Sequence, residues 1–299
     1  MALDQTQALG YVVKKVRFSS AHFFHLPHLS DLENRQRFGP TANRNGHGHN
    51  YELEVTVKGP VDSQTGMVMN LKDLKALLQE EVITPLDFKS LNHDVPYFSD
   101  KLPTLENLVQ FIWPRLEKRV AQMGSEDAPL SLHHLTLYEA DDLFVDFGAD
   151  MPDATRGEPP VPPLTTLTRK YDFCATHRLY NPSFSDEQNQ TVFRECNNPN
   201  GHGHNYELEV SVSGVPDQET GMVIDLVALD MLVSKWILAK VDHKNMNLDV
   251  DFLSGIIPTA ELMAEAFWKQ LCPHIPEPAR LYKIRLIETK KNYAEYYGP

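Results

Sequence analysis

Cysteine and tryptophan are scarce, three of each in 299 residues. Cys174, Cys196 and Cys272 all fall in the second half of the chain. An odd, sparse set of thiols offers no disulfide framework and fits a reducing, cytoplasmic setting better. Basic charge is also short: 28 Lys and Arg stand against 41 Asp and Glu, a net charge of -13. A nucleic-acid partner needs a basic face, so generic nucleic-acid binding is not expected, whereas a local basic pocket for a small phosphate ligand remains compatible. No uninterrupted apolar run approaches the ~18 residues of a membrane helix. The opening MALDQTQALG lacks a basic segment followed by an apolar one, so no secretory leader is expected. What remains, 41% hydrophobic and 23% charged, has the balance of a globular chain. Its length suits about two domains.

The chain contains its own copy. Gly46 to Val57 reads GHGHNYELEVTV and Gly201 to Val212 reads GHGHNYELEVSV, differing only at Thr56 against Ser211. The same displacement pairs His22 with His177, Thr104 with Thr259, Glu106 with Glu261 and Trp113 with Trp268. A period this long means tandem domains rather than a solenoid. A proline-rich stretch over 151–164 reads as a stiff linker between domains at 10–150 and 165–299.

Within each copy the pattern predicts an α+β unit. An alternating stretch (Val12 to His22; Thr166 to His177) reads as a strand, followed by a polar loop and a second strand (Asn50 to Lys58; Asn205 to Ser213). One helix is expected from Asn70 or Asp225 and another from Thr104 or Thr259, with Pro114 kinking the first copy's version. Two closing strands follow (Leu132 to Glu139 and Phe144 to Phe147; Leu281 to Glu288 and Tyr293 to Tyr297). The order is ββααββ, an antiparallel four-stranded sheet with two helices on one face.

His47-Gly48-His49 and His202-Gly203-His204 are His-x-His pairs at the mouth of a strand, where i and i+2 share a face. A third histidine, His22 or His177, lies 25 residues upstream in both copies, at the end of the strand expected to pair with the second. Three imidazoles at one sheet end leave a fourth tetrahedral position open, the arrangement of a catalytic zinc. His25, His28, His93, His133, His134 and His274 lack this pattern and read as surface or core residues.

Cys196 precedes His202 by six residues in CNNPNGHGHNY, where a nearby dication would lower its pKa and make it a usable base. Asp242-His243, in VDHKNMN, is an adjacent acid and imidazole able to shuttle a proton. Together with ETGMVIDL, PTAE at Pro258 to Glu261 and the late Glu288, these residues resemble the 6-pyruvoyl-tetrahydropterin synthase family over nearly all of both copies. The resemblance implies two tandem tunnelling-fold domains and an active-site zinc. It implies action on 7,8-dihydroneopterin triphosphate, with elimination of triphosphate and no external redox cofactor. It implies that His177, His202 and His204 hold the zinc, that Cys196 is the base and that Asp242 and His243 handle the second proton. Glu288 would anchor the pterin ring and Thr259 would support that pocket, although a threonine there is equally explained as a helix cap. It also implies subunits that join sheets into barrels, favouring a homotrimer of this two-domain chain, with the Asp-His pair reaching a neighbour's zinc.

The first copy keeps His22, His47, His49, Asp87 and Glu139. It has Thr41 or Ala42, depending on loop alignment, where the second has Cys196, and Phe88 where the second has His243. The expectation is a degenerate first domain that retains its zinc site and a catalytic second domain. Two alternatives stand beside it. One is 6-carboxy-tetrahydropterin synthase of queuosine biosynthesis, which the six-residue gap with its NNPNG insert disfavours. The other is a non-catalytic pterin-binding scaffold, which the complete second-copy set disfavours.

Overall fold

A computed structural model describes residues 8–148 and 164–299. Of the linker expected over 151–164, only Leu164 lies within them. The chain divides into two compact units, Met1–Leu167 with Val215–Val223, and Thr168–Gly214 with Ile224–Pro299.

In the first repeat, β1 (Leu9–His22) pairs antiparallel with β2 (His47–Pro60) along their whole length. Period-2 alternation decides which side of β2 faces inward: Tyr51, Leu53, Val55 and Val57 are completely buried, while the Glu and Thr between them are not. Two closing strands, β4 (Ser131–Ala140) and β5 (Leu143–Gly148), extend the sheet antiparallel in the order β5-β4-β2-β1. A two-residue strand, β3 (Lys89–Ser90), adds to β1 in parallel, an addition to the four expected strands. Strand β2 also starts at His47 rather than Asn50, so the His-x-His pair sits inside the ladder, with Gly48 opposite Ala21.

The helices start where the caps place them. Asn70 caps α2 (Leu71–Leu78) by accepting from Lys72 N, and Leu74, Leu77 and Leu78 are buried beneath it. Thr104 caps α3 (Leu105–Met123), a single helix that includes Pro114. One helix was not anticipated: α1 (Asp31–Phe38) occupies the stretch read as a polar loop. Its start is a capping box in which Ser30 and Glu33 satisfy each other's backbone N–H groups. Its mean polarity hides it from a search for apolar periodicity, because only Asn34 and Phe38 are buried.

The second repeat reproduces this order. Strands β6 (Thr165–His177), β7 (His202–Gly214), β9 (Arg280–Thr289) and β10 (Asn292–Tyr296) form the sheet in the order β10-β9-β7-β6, with β8 (Lys244–Asn245) parallel to β6. Helix α4 (Asp186–Phe193) starts with a Ser185/Gln188 capping box, α5 (Leu226–Val233) at Asp225 and α6 (Ala260–Leu271) at Thr259. In both repeats the helix after the second strand widens into a π turn, Gln79–Ile83 or Ser234–Leu238, and ends just before Asp87 or Asp242.

Leu53 and Leu208 occupy the same fully buried place in β2 and β7. Leu53→Ala and Leu208→Ala should each cost about 2–5 kcal/mol, as the unfilled volume of a closed core predicts. Urea denaturation would check this; a loss below about 1 kcal/mol would mean that the site is not closed core.

Candidate functional site

The strand register assembles the first cluster. His22 lies directly opposite His47, and Ser20 opposite His49. Opposed residues in an antiparallel pair share a face, and i and i+2 do as well, so all three imidazoles stand together. One nitrogen from each of His22, His47 and His49 lies within 4.8 Å of the others, and the same holds for His177, His202 and His204. Beneath each cluster an aromatic pair stacks, Phe18 on Tyr51 and Phe173 on Tyr206.

The hydrogen bonds fix the tautomer of one imidazole per cluster. His22 Nδ1 is 3.0 Å from Pro103 O, and His177 Nδ1 is 2.8 Å from Pro258 O. A carbonyl only accepts, so Nδ1 carries the proton and the Nε2 lone pair faces the cluster. That Nε2 is 3.1 Å from His47 Nε2 in one repeat and from His202 Nε2 in the other. Tetrahedral zinc with bonds of ~2.05 Å sets neighbouring nitrogens about 3.3 Å apart. Among the described residues, His49 Nε2, His204 Nε2, His47 Nδ1 and His202 Nδ1 are buried without a hydrogen-bond partner. Of these, His49 Nε2 and His204 Nε2, unpaired beside the other two imidazoles of each cluster, fit a metal ion.

Electrostatics favours the same occupant. Burial pushes His22 down to about 3, with His47 and His49 adding to the effect against the Pro103 hydrogen bond. Burial likewise lowers His177, His47, His49 and His202. Neutral imidazole is the ligating form. Each cluster has a carboxylate beside it. Glu139 lies 3.6 Å from His49 Nε2 and 3.9 Å from His22 Nε2, and Glu288 lies 3.5 Å from His177 Nε2 and 3.7 Å from His204 Nε2. The two repeats then diverge. Tyr51 OH lies 3.5 Å from His22 Nδ1, whereas among the described residues the buried Tyr206 hydroxyl has no hydrogen-bond partner. Burial raises both phenols, with the neighbouring glutamate adding to it.

Cys196 lies in a tight turn, Arg194–Asn197, directly after α4. Its thiol is partly buried; that burial, then the charges of Glu288 and Glu195, raise its pKa. A dication on the neighbouring imidazoles would act in the opposite sense. Cys196 O accepts from Leu179 N at 2.9 Å, and Thr41 O accepts from Phe24 N at 2.9 Å. This shared bond assigns Thr41, rather than Ala42, to the place of Cys196.

Asp242 and His243 group with Cys174 rather than with the three imidazoles, although His243 and His204 line one cavity. Asp242 Oδ1 accepts from Cys174 N at 3.0 Å and lies 3.0 Å from His243 Nδ1. The Cys174 N–H bond and the neighbouring His243 hold the Asp242 carboxyl below its usual range. The His243 side chain is 80% exposed. Thr259 caps α6, its hydroxyl accepting from Leu262 N at 3.4 Å, which is the helix-cap role.

Five residues of the two sites carry no such signal in the motifs. The Pro103 and Pro258 carbonyls are backbone groups and leave no side-chain signature. Tyr51 and Tyr206 continue the i, i+2 face of His-Gly-His-Asn-Tyr and were open to a period-2 reading. Cys174 meets Asp242 only through the fold, across 68 residues.

A family model described as 6-pyruvoyl tetrahydropterin synthase matches residues 11–150 and again 166–299. The 6-pyruvoyl tetrahydrobiopterin synthase of Poecilia reticulata is 48% identical over 112 residues, 38% of this chain and 76% of that protein. The 6-carboxy-5,6,7,8-tetrahydropterin synthase of Rickettsia typhi is 36% identical over 149 residues, 44% of this chain and 99% of that protein. A solved structure of Caenorhabditis elegans 6-pyruvoyl tetrahydropterin synthase is 39% identical, with a TM-score of 0.44, over 46% of this chain and 97% of that one.

Metal analysis should find about one ion fewer per chain in His49→Ala and in His204→Ala than in the parent, one per open three-histidine site; an unchanged value in either variant would show that its repeat has lost its site. Acid should weaken the metal-free protein through His22. Its folded value of about 3 lies below the ordinary 6.5, so its contribution is complete above 6.5 and is lost as pH falls towards 3. By pH 5 that loss is about 2 kcal/mol. Urea midpoints at pH 7 and pH 5, with chelator present, should converge in His22→Asn relative to the parent; identical drops in both proteins would assign the acid sensitivity elsewhere.

Proposed function

Because the chain belongs to the 6-pyruvoyl tetrahydropterin synthase family, we propose that its second repeat is a zinc-dependent synthase. Its substrate is 7,8-dihydroneopterin triphosphate, from which it eliminates inorganic triphosphate and rearranges the side chain to the pyruvoyl product. The observation that carries this reading is the contrast between repeats. Both bring three imidazoles together, but only the second has a thiol, Cys196, whose pKa is raised by burial and then by the same Glu288 that lies beside its cluster, and an imidazole, His243, next to the aspartate. Zinc held by His177, His202 and His204 would supply a Lewis acid for the substrate's side-chain hydroxyls. Cys196 takes a proton from the side chain. Asp242 and His243 deliver or accept the second proton, the aspartate holding the imidazole through the contact at its Nδ1. Glu288, with a side chain 21% exposed, accepts paired N–H bonds from the pterin's 2-amino group and N3. The first repeat has Thr41 and Phe88 in these places, neither able to transfer a proton near neutral pH, and serves as a metal-holding structural partner.

The proton shuttle also motivates a homotrimer. Asp242 and His243 group with Cys174 rather than with the imidazoles of their own repeat, and the exposed His243 side chain leaves the pair open to a neighbouring chain. Phe88, at the matching place in the first repeat, is 85% exposed with φ at 54°. A bulky apolar residue in left-handed backbone and open to water fits a surface that another chain covers.

Incubation with 7,8-dihydroneopterin triphosphate, followed by mass spectrometry, should yield triphosphate and the pyruvoyl pterin. A carboxy pterin with a two-carbon aldehyde would assign the sister reaction, and unchanged substrate would make the chain a binding scaffold. Cys196→Ala should cut turnover by about 10²–10⁴-fold with its metal retained, whereas Thr41→Ala should leave the rate near that of the parent. Near-parental turnover in Cys196→Ala would remove the thiol from the mechanism. Light scattering should give the mass of three chains, and a monomer or dimer would defeat the assembly.

A further inference from the structure

A second group of metal-ligating side chains lies outside the histidine clusters. Cys174, Asp242 and His243 each offer a donor atom within 4.8 Å of the other two. Two hydrogen bonds to the Cys174 backbone hold the three residues together. Cys174 N donates to Asp242 Oδ1 at 3.0 Å, and His243 N donates to Cys174 O at 2.7 Å. The second of these needs His243 in left-handed backbone, with φ at 57°, a conformation that a non-glycine residue adopts only when its surroundings impose it. The first repeat has the same clamp with different side chains. Ser19 N donates to Asp87 Oδ1 at 2.8 Å, Phe88 N donates to Ser19 O at 2.7 Å, and Phe88 has φ at 54°. The clamp therefore belongs to the scaffold, and the thiol and imidazole are what the second repeat adds to it.

From this placement we infer that Cys174, Asp242 and His243 form a metal site for a borderline divalent cation of the zinc and cobalt type, separate from the His177 cluster. Thiolate, carboxylate and imidazole together select such ions over magnesium and calcium, which prefer oxygen alone. Three protein donors leave a tetrahedral ion one position for water. The site opens into a cavity of about 620 Å³ that Cys174 and His243 line, with His204 on its wall, so an ion has a route in. The thiol proton is released as the ion binds. Where Asp242 and His243 move a proton as proposed above, an ion here occupies both of them and stops that transfer. This consequence rests on that reading; the site itself does not.

The test uses the full chain with its histidine clusters filled by zinc, which binds more tightly than cobalt and stays in place. Titration with cobalt(II) should produce a thiolate-to-cobalt charge-transfer absorption in the near ultraviolet, saturating at one ion per chain. Cys174→Ser should abolish that band, and Cys196→Ser should retain it. Serine is what the first repeat carries under the same clamp, so the fold accommodates it, and an unchanged circular dichroism spectrum would verify this. His243→Phe should weaken cobalt binding and keep the fold for the same reason. Absence of the band in the parent protein, or a band that survives Cys174→Ser and disappears in Cys196→Ser, would overturn the site. Separately, zinc in excess of the histidine sites should abolish most of the turnover in the parent and spare Cys174→Ser. A cobalt band without zinc inhibition would leave the site standing and refute the proton-transfer role of the Asp242-His243 pair.

Discussion

The register between the first two strands of each repeat is the constraint on which the site depends. With His22 opposite His47, period-2 geometry places His49 on the same face and Tyr51 below it on Phe18. A slip of one residue would turn His47 and His49 to the opposite face and bring the strand's acidic residues inward in place of Tyr51, Leu53, Val55 and Val57. Core and chemistry therefore share one specification. The hydrophobic side chains that lock the ladder in place also fix where the imidazole nitrogens meet.

That shared specification explains what the sequence could disclose. The duplication, both histidine triplets, the strands and the caps at Asn70, Thr104, Asp225 and Thr259 follow from spacing along the chain, and local geometry converts spacing into position. The family, with its two tunnelling-fold repeats, was legible for the same reason, because its motifs are contiguous. Helix α1 was not, since a helix with two buried residues has no apolar stripe to detect, although its Ser30/Glu33 box was present. The grouping of Cys174 with Asp242 was not legible either. It depends on a parallel two-residue strand, β8 on β6, that no periodicity announces.

The two repeats separate scaffold from chemistry. They share the imidazole cluster, the proline carbonyl behind it, the π turn before the aspartate and the left-handed residue after it. They differ in a few side chains on that common backbone: Thr41 against Cys196, Ser19 against Cys174, Phe88 against His243. None of these six residues is deep in the core, so reactive groups can be exchanged there at little cost to folding.

The carbonyl of Pro258 joins two parts of the second repeat that otherwise have separate duties. On one side it fixes the proton on His177 Nδ1; on the other it is covalently continuous with Thr259, the residue that starts α6. A hydrogen bond to Nδ1 governs how strongly the opposite nitrogen donates electrons. Displacement of the helix start would lengthen that bond and weaken the donor, so the position of α6 acts as a mechanical control on the electronic character of His177. Any ion that His177 held would thus feel the rigidity of the helix cap.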